Sequence, residues 1–468
     1  VAFDIKEDKV KDAIEAMKDL MDYQALNQNL AQLLSQFDLN QKVGGCSLVI
    51  FHQGKPVTQL AHGIANIDKN NQQITPWQPS TLSLNFSTGK GILVTLINIL
   101  VSQNFLAYDK TLASYWPAFA QNGKDSVTLR DMLTHESGLF NIVSITEHAK
   151  DMLDWQLMLS NVEQMALNSP TNTHSSGSSS ANKNQPVNQS IESSAAASSA
   201  SCAAYSALVS GWVLGGLIEK VTQLPLQQAL EYYLLEPLNL VGQVYFGVPK
   251  DKVEQVAGQI RAKESQAKPL LTQDADSTLQ FYQSLPFYPA WLTLSQSDSP
   301  LTTQAINALY FQPANINIED YKSALVPIGS RQFNYYHPVT LQAKIPAANG
   351  VASAIALATV YAMLANRGVW QGKTLINSAV FKALSTIHNE QFDKIMPAVM
   401  AWRLGYHRVF SLFHDVSDAF GHMGYNGSMA WCDPSRALAV SFVHNYDVTM
   451  LGDDRQFILN ETILDFFA

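Results

Sequence analysis

The feature that most constrains this chain is a pair of hairpin-like stretches near its opposite ends, with helix-like sequence between them. "CSLVIFHQGKPVTQLAHGIAN", from Cys46 to Asn66, reads as two strands around a turn at Gln53-Gly54-Lys55. "GSMAWCDPSRALAVSFVHN", from Gly427 to Asn445, reads as two apolar strands joined by Asp-Pro-Ser-Arg. A lone hairpin is marginal in water, so each stretch needs further strands. The expectation is an α+β fold, an α/β sandwich in which one antiparallel sheet is built from both chain ends and flanked by helices.

Helical spacing predicts a helix within residues 5–37, an apolar helix after Ser87, and a helix in "VTLRDMLTHESGL" that stops at Gly138. Further helices are predicted in "WVLGGLIEKV", in "NGVASAIALATVYAMLANRGV" closed by Gly368, and in "QFILNETILDFF". Residues 251–340 read as helices and loops. The whole chain, 1–468, is read as one catalytic module. Residues 1–90 and 345–468 form the sheet subdomain, and 91–344 form a mainly helical one. Residues 171–204, rich in Ser, Asn and Ala, have almost nothing to bury and read as an insertion.

Hydrophobic residues make up 47% of the chain, enough for a large core. A net charge of −9 argues against nucleic acid as a partner, because phosphate binding needs clustered Lys and Arg. Cys46, Cys202 and Cys432 are too few and too scattered for a disulfide framework or a zinc cage. No run reaches the roughly 18 apolar residues of a membrane span, and no signal peptide is visible. The expected particle is soluble, a monomer or small homo-oligomer, with its compartment open between bacterial cytoplasm and periplasm.

Ser-x-x-Lys occurs three times, at Ser87/Lys90, Ser180/Lys183 and Ser265/Lys268. The second lies in the low-complexity tract and the third in the polar run "KESQAKP", so neither sits on a rigid element. Only Ser87 opens a helix whose next turns are apolar, which would aim that helix's N–H groups at the site. Three residues apart on a helix, Ser87 and Lys90 lean over the same spot. A serine hydroxyl needs a base, and lysine serves only when neutral. The bland alternative is an N-cap serine beside a solvated lysine. Tyr205 precedes a new helix, and "FGHMGYNGSMAW" sets His422, Gly424 and Tyr425 at a strand, as candidates for the remaining machinery. Gly-x-Ser-x-Gly, His-Glu-x-x-His, Gly-x-Gly-x-x-Gly and Walker patterns are absent, leaving the α/β-hydrolase elbow, zinc-protease and nucleotide readings without support.

Ser-x-x-Lys, "LTHESGL", a Tyr-Ser motif and His-x-Gly before a strand, in that order, resemble the serine β-lactamase and penicillin-binding-protein superfamily. Within it the chain looks most like the class C β-lactamase-related esterases, the family VIII carboxylesterases. The likeness runs through "GGCSLVIFHQGKPV", "LNFSTGKG", "YSALVSGWVLGGLIEKVT", "IPAANG" and the closing hairpin. The resemblance implies that Ser87 is acylated, that Lys90 accepts its proton and that Tyr205 shares or relays it. It implies an oxyanion hole of the Ser87 and Tyr425 N–H groups, with His422, Gly424 and Ala207 lining the substrate site. No metal or organic cofactor is implied.

The departures bear on substrate. The resembled β-lactamases read Tyr-x-Asn, where this chain has Ala207, and their third motif carries Lys where His422 stands. Ser206 replaces the histidine of an esterase pattern. The family's Trp and Pro-Gly-Thr before the tyrosine give way to the Ser/Ala/Asn tract. The resulting expectation is a hydrolase of small or short-chain carboxylic esters. The alternatives are a β-lactamase or D-Ala-D-Ala carboxypeptidase, or a catalytically silent binding module of the same fold. "LPFYPAWL", from Leu285 to Leu292, could line an acyl pocket, but packing of the helical subdomain is the simpler reading.

Overall fold

A computed structural model describes residues 23–39, 43–68, 73–167, 202–260 and 275–468. Most of the tract at 171–204 lies outside them, as do Ser180/Lys183, Ser265/Lys268 and the first part of the expected opening helix.

The two end stretches meet in one sheet. β1 (Gly45–His52) and β2 (Lys55–Ile67) form the first hairpin, with Gln53 and Gly54 both at positive φ in the turn. β3 (Ile74–Pro76) extends it along β2. Short strands β4 (Ser83–Leu84), β5 (Val244–Tyr245) and β6 (Val351–Ala352) form a separate three-stranded sheet, and β7 (Val369–Trp370) pairs with β8 (Lys373–Thr374). β9 (His407–Arg408), β10 (Phe420–Met423), β11 (Met429–Asp433) and β12 (Leu438–His444) complete the main sheet. Its order is β3-β2-β1-β12-β11-β10-β9, antiparallel at every pairing of β1 with β2 and of β9 to β12. The seam between the chain ends is β1 on β12, with Leu48 opposite Phe442 and Ile50 opposite Val440.

Both faces of this sheet are covered, which explains why β1 and β12 read as nearly unbroken apolar runs. Side chains alternate along each strand. Leu48, Ile50, Val440 and Phe442 face a core shared with α1 (residues 23–35) and α5 (Arg455–Phe466). Val49, Phe51, Ala439 and Val443 face the opposite core, built with α2 (Thr88–Ser102) and α4 (Ala354–Ala365). α3 (Val209–Thr222) packs on α2 from the helical side. Every residue of α2 from Thr88 to Val101 is buried, so this helix is the axis of the molecule. The boundary read at residues 90/91 therefore falls inside α2, which contacts both the sheet and the helical part.

Two expected boundaries are corrected, and the packing role read for "LPFYPAWL" holds. "VTLRDMLTHESGL" is helical only over Leu129–Leu133, because His135 takes a left-handed φ of 60° before Gly138 is reached. "NGVASA" begins as β6, and the helix starts only at Ala354, capped by the Ser353 side chain. "LPFYPAWL" packs Leu285, Tyr288 and Trp291 into the second core and takes no part in the cleft around Ser87.

Candidate active site

Ser87 sits where the chain turns from β4 into α2. Phe86, just before it, is held at φ 47°, a left-handed conformation costly for a bulky residue and characteristic of functional turns. Ser87 itself is helical, at φ −69° and ψ −12°, and its side chain makes no capping hydrogen bond. The bland reading of a helix-capping serine therefore fails on geometry. Lys90 Nζ instead donates to Ser87 Oγ at 2.8 Å, and to the Ala347 carbonyl at 2.7 Å. Lys90 is 4% exposed and has no carboxylate partner among the described residues, so burial alone drives its pKa well below the usual lysine value.

Tyr205 is also buried, with Lys90 Nζ 5.1 Å from its ring centroid. Burial pushes its phenol up, the Ser87 hydroxyl pulls it back, and the Asp393 carboxylate raises it further. An amine whose pKa burial lowers and a phenol whose pKa burial raises thus flank the Ser87 oxygen.

Around them stand neutral imidazoles. His422, on β10, shares a hydrogen bond between Nδ1 and the Met423 carbonyl at 3.1 Å. Burial first, then His407 and Lys90, hold its pKa well below the ordinary range. His407 accepts the Met423 N–H on Nε2 at 2.9 Å, so its Nδ1 carries the proton and donates to the Arg408 carbonyl at 2.7 Å. Its pKa is lowered to about 4, mainly by burial. His135 accepts the Ser206 N–H on Nδ1 at 3.2 Å and is lowered to about 3 by burial, Lys90 and His407.

The turn after β10 comes close to the start of α2. A Cβ on Gly424 would lie 2.5 Å from the Asn85 carbonyl oxygen, so only glycine allows this approach. Thr88 Oγ1 donates to the Ser428 carbonyl at 2.8 Å and ties the turn to the helix. The backbone N–H groups of Ser87 and Tyr425 meet no acceptor among the described residues. The Tyr425 ring is exposed and leans on Phe86, with centroids 5.8 Å apart. Ser87, Tyr205, His422 and Tyr425 line a cleft together with Met396, Met400, Met423 and Met450. Gly424 does not line this cleft; it lets the turn that carries Tyr425 approach Asn85. Ala207 does not line it: at 2% exposure, with its N–H donating to the Tyr205 carbonyl, it is packed into the core behind the tyrosine.

A family model for Beta-lactamase matches residues 26–462. The chain belongs to the beta-lactamase family. It is similar to the Esterase/beta-lactamase LipL of Mycobacterium tuberculosis, 26% identical over 410 residues, which cover 86% of this chain and 78% of LipL. Two solved structures share the beta-lactamase fold. One is a penicillin-binding protein homolog from Caulobacter crescentus, with TM-score 0.64, 24% identity and coverage of 96% and 97% of the two chains. The other is a family VIII carboxylesterase, with TM-score 0.61, 22% identity and coverage of 91% and 93%. The chain is a beta-lactamase-fold hydrolase. Among its described residues no helix is long and apolar enough to cross a membrane.

The sequence pointed to Ser87, Lys90, Tyr205, His422 and Tyr425, and these do converge. It gave no role to His135, His407, Asp393 or Trp402, which surround the tyrosine. His135 stood in the quoted "LTHESGL". Asp393 and Trp402 come from an irregular stretch, residues 386–406, and His407 from the two-residue β9, too short for periodicity to mark an inward-facing position.

Proposed function

We propose that the chain is a serine esterase acting on small or short-chain carboxylic esters through an acyl-enzyme on Ser87. The observation that carries this reading is the buried Lys90 amine, its pKa driven down by burial, 2.8 Å from the Ser87 hydroxyl. In the proposed cycle Lys90 takes the hydroxyl proton as Ser87 Oγ attacks the ester carbonyl. The Ser87 and Tyr425 N–H groups receive the oxyanion. Tyr205 gives its proton to the departing alkoxide and is reprotonated from Lys90, leaving acyl-Ser87 and free alcohol. Water then attacks the acyl carbon, losing its proton through Tyr205 to Lys90, and Ser87 leaves with a proton as the carboxylic acid is released.

The ester preference is supported by what flanks the cleft. His422 is uncharged and so supplies no fixed cation for a substrate carboxylate. Four methionines make the cleft wall apolar and adaptable. The name Esterase/beta-lactamase of the relative from M. tuberculosis favours β-lactams as the second substrate class to test.

The test is a pre-steady-state assay with p-nitrophenyl acetate and butyrate beside nitrocefin, using wild type, Ser87→Ala and Tyr205→Phe. The expected result is a stoichiometric burst that Ser87→Ala abolishes and Tyr205→Phe slows, with nitrocefin turned over slowly at most. Faster turnover of nitrocefin than of esters would favour the β-lactamase reading. Absence of any burst in wild type would favour a silent binding module.

A further inference from the structure

The segment carrying Tyr205 has no regular structure of its own from Cys202 to Ser206. Its geometry is imposed from outside. The His135 carbonyl accepts the Ala204 N–H at 2.9 Å, and the Ala203 carbonyl accepts the Lys394 N–H at 3.0 Å. The Tyr205 N–H donates to Asp393 Oδ1 at 3.2 Å. That oxygen also accepts the N–H groups of Ile395 at 2.8 Å and Met396 at 2.9 Å. The other oxygen, Oδ2, accepts Trp402 Nε1–H at 2.8 Å. The Trp402 indole lies stacked beneath the Tyr205 ring, 5.4 Å between centroids at 19°.

Asp393 is 1% exposed and makes no ion pair among the described residues. A buried carboxylate is expensive unless its lone pairs are filled. Here four donors fill them, and two of the four bear directly on Tyr205, one through its backbone and one through the ring beneath it. No neutral side chain reproduces the set. Asparagine has one acceptor oxygen, and its amide would face a donor.

We propose that Asp393 is the positioning residue for Tyr205, holding the phenol against Ser87 and Lys90 through the Tyr205 backbone and the Trp402 platform. This rests on the reading of Ser87 as the acylated nucleophile. Asp393 never meets substrate; it acts by fixing where the phenol can be.

The test is single-turnover acylation by p-nitrophenyl acetate in wild type, Asp393→Asn, Trp402→Phe, Tyr205→Phe and the double variant Asp393→Asn/Tyr205→Phe. Asp393→Asn is expected to slow acylation about 100-fold, the loss typical of an ångström-scale displacement, with KM little changed. Trp402→Phe, which keeps an aromatic ring but loses the N–H, should show a smaller loss in the same direction. The double variant should be no slower than Tyr205→Phe, because residues acting through one another are not additive. A folded Asp393→Asn that acylates at the wild-type rate overturns the proposal, as does a double variant whose loss is the product of the single losses. If Asp393→Asn does not fold, Trp402→Phe alone and combined with Tyr205→Phe decides by the same comparison. A wild type without a burst, or a burst that survives in Ser87→Ala, overturns the esterase reading instead.

Discussion

Gly424→Ala isolates the contact between the β10–β11 turn and the start of α2. The new methyl would lie 2.5 Å from the Asn85 carbonyl oxygen and 3.0 Å from both Asn426 Oδ1 and Thr88 Oγ1. Relieving the first contact requires the turn to move away from Ser87 by roughly half an ångström or more. A hydrogen bond of about 2.9 Å then stretches to about 3.4 Å, beyond the range in which an oxyanion donor works. Losing one such donor costs about 100- to 1,000-fold in turnover, or roughly 3–4 kcal/mol. Overpacking the site should cost about 1–3 kcal/mol of stability. The assay is steady-state hydrolysis of p-nitrophenyl butyrate together with thermal melting. The expected variant is folded, with a lowered Tm, a collapsed kcat and a nearly unchanged KM. A folded Gly424→Ala whose kcat stays within threefold of wild type would refute the reasoning that places the Tyr425 N–H at the oxyanion.

Lys90→Met should abolish turnover yet raise Tm at neutral pH, because the native state buries an amine whose protonation that burial opposes. The unfolded chain binds that proton, so wild-type stability rises with pH from the depressed native pKa to about 10.4, where the advantage of Lys90→Met in melting should vanish. In wild type, kcat/KM should rise with pH through an inflection well below that of free lysine; a midpoint near 10.4 would show that burial does not lower the Lys90 pKa. Below about pH 6.5 the unfolded chain takes up protons that the native state denies to His407, lowered to about 4, and His135, lowered to about 3. Urea titrations should therefore show stability falling as pH drops from about 6.5 toward 4, and His407→Gln should flatten that slope. Met400→Ala should widen the cleft, raising kcat/KM for octanoate relative to acetate esters while costing about 2–5 kcal/mol of stability; an unchanged ratio would exclude Met400 from the acyl-side wall.

The parts legible in the sequence depend on short-range rules. The apolar runs of β1 and β12, the Gln53-Gly54 turn and the three-residue spacing of Ser87 and Lys90 are local, and each survives into the structure. What was misread depends on tertiary contacts. "LTHESGL" has a helix-like pattern, yet its helix ends at Leu133 and His135 turns left-handed, its ring packed beside Tyr205 and Trp402. Ala207 has the expected spacing from Tyr205, but its N–H folds back to the Tyr205 carbonyl and draws the methyl into the core. Asp393 and Trp402 could not be found by pattern, since a buried carboxylate in an irregular loop looks like any surface aspartate until its four donors are seen.

The seam between β1 and β12 also governs how the molecule is made. β1 leaves the ribosome well before its hydrogen-bonding partner on that side, which arrives only after some 390 further residues have been synthesised. Until then β1 and β2 form a hairpin with an open edge and one uncovered apolar face, the kind of surface that recruits chaperones or mispairs. Because β10, β11 and the Gly424 turn arrive in the same late stretch, a ribosome-bound chain truncated before them carries Ser87 and Lys90 without the strands that complete the cleft. Contacts this distant in sequence also predict slow refolding in vitro, so yield on dilution from denaturant should depend on protein concentration more steeply than native stability would suggest.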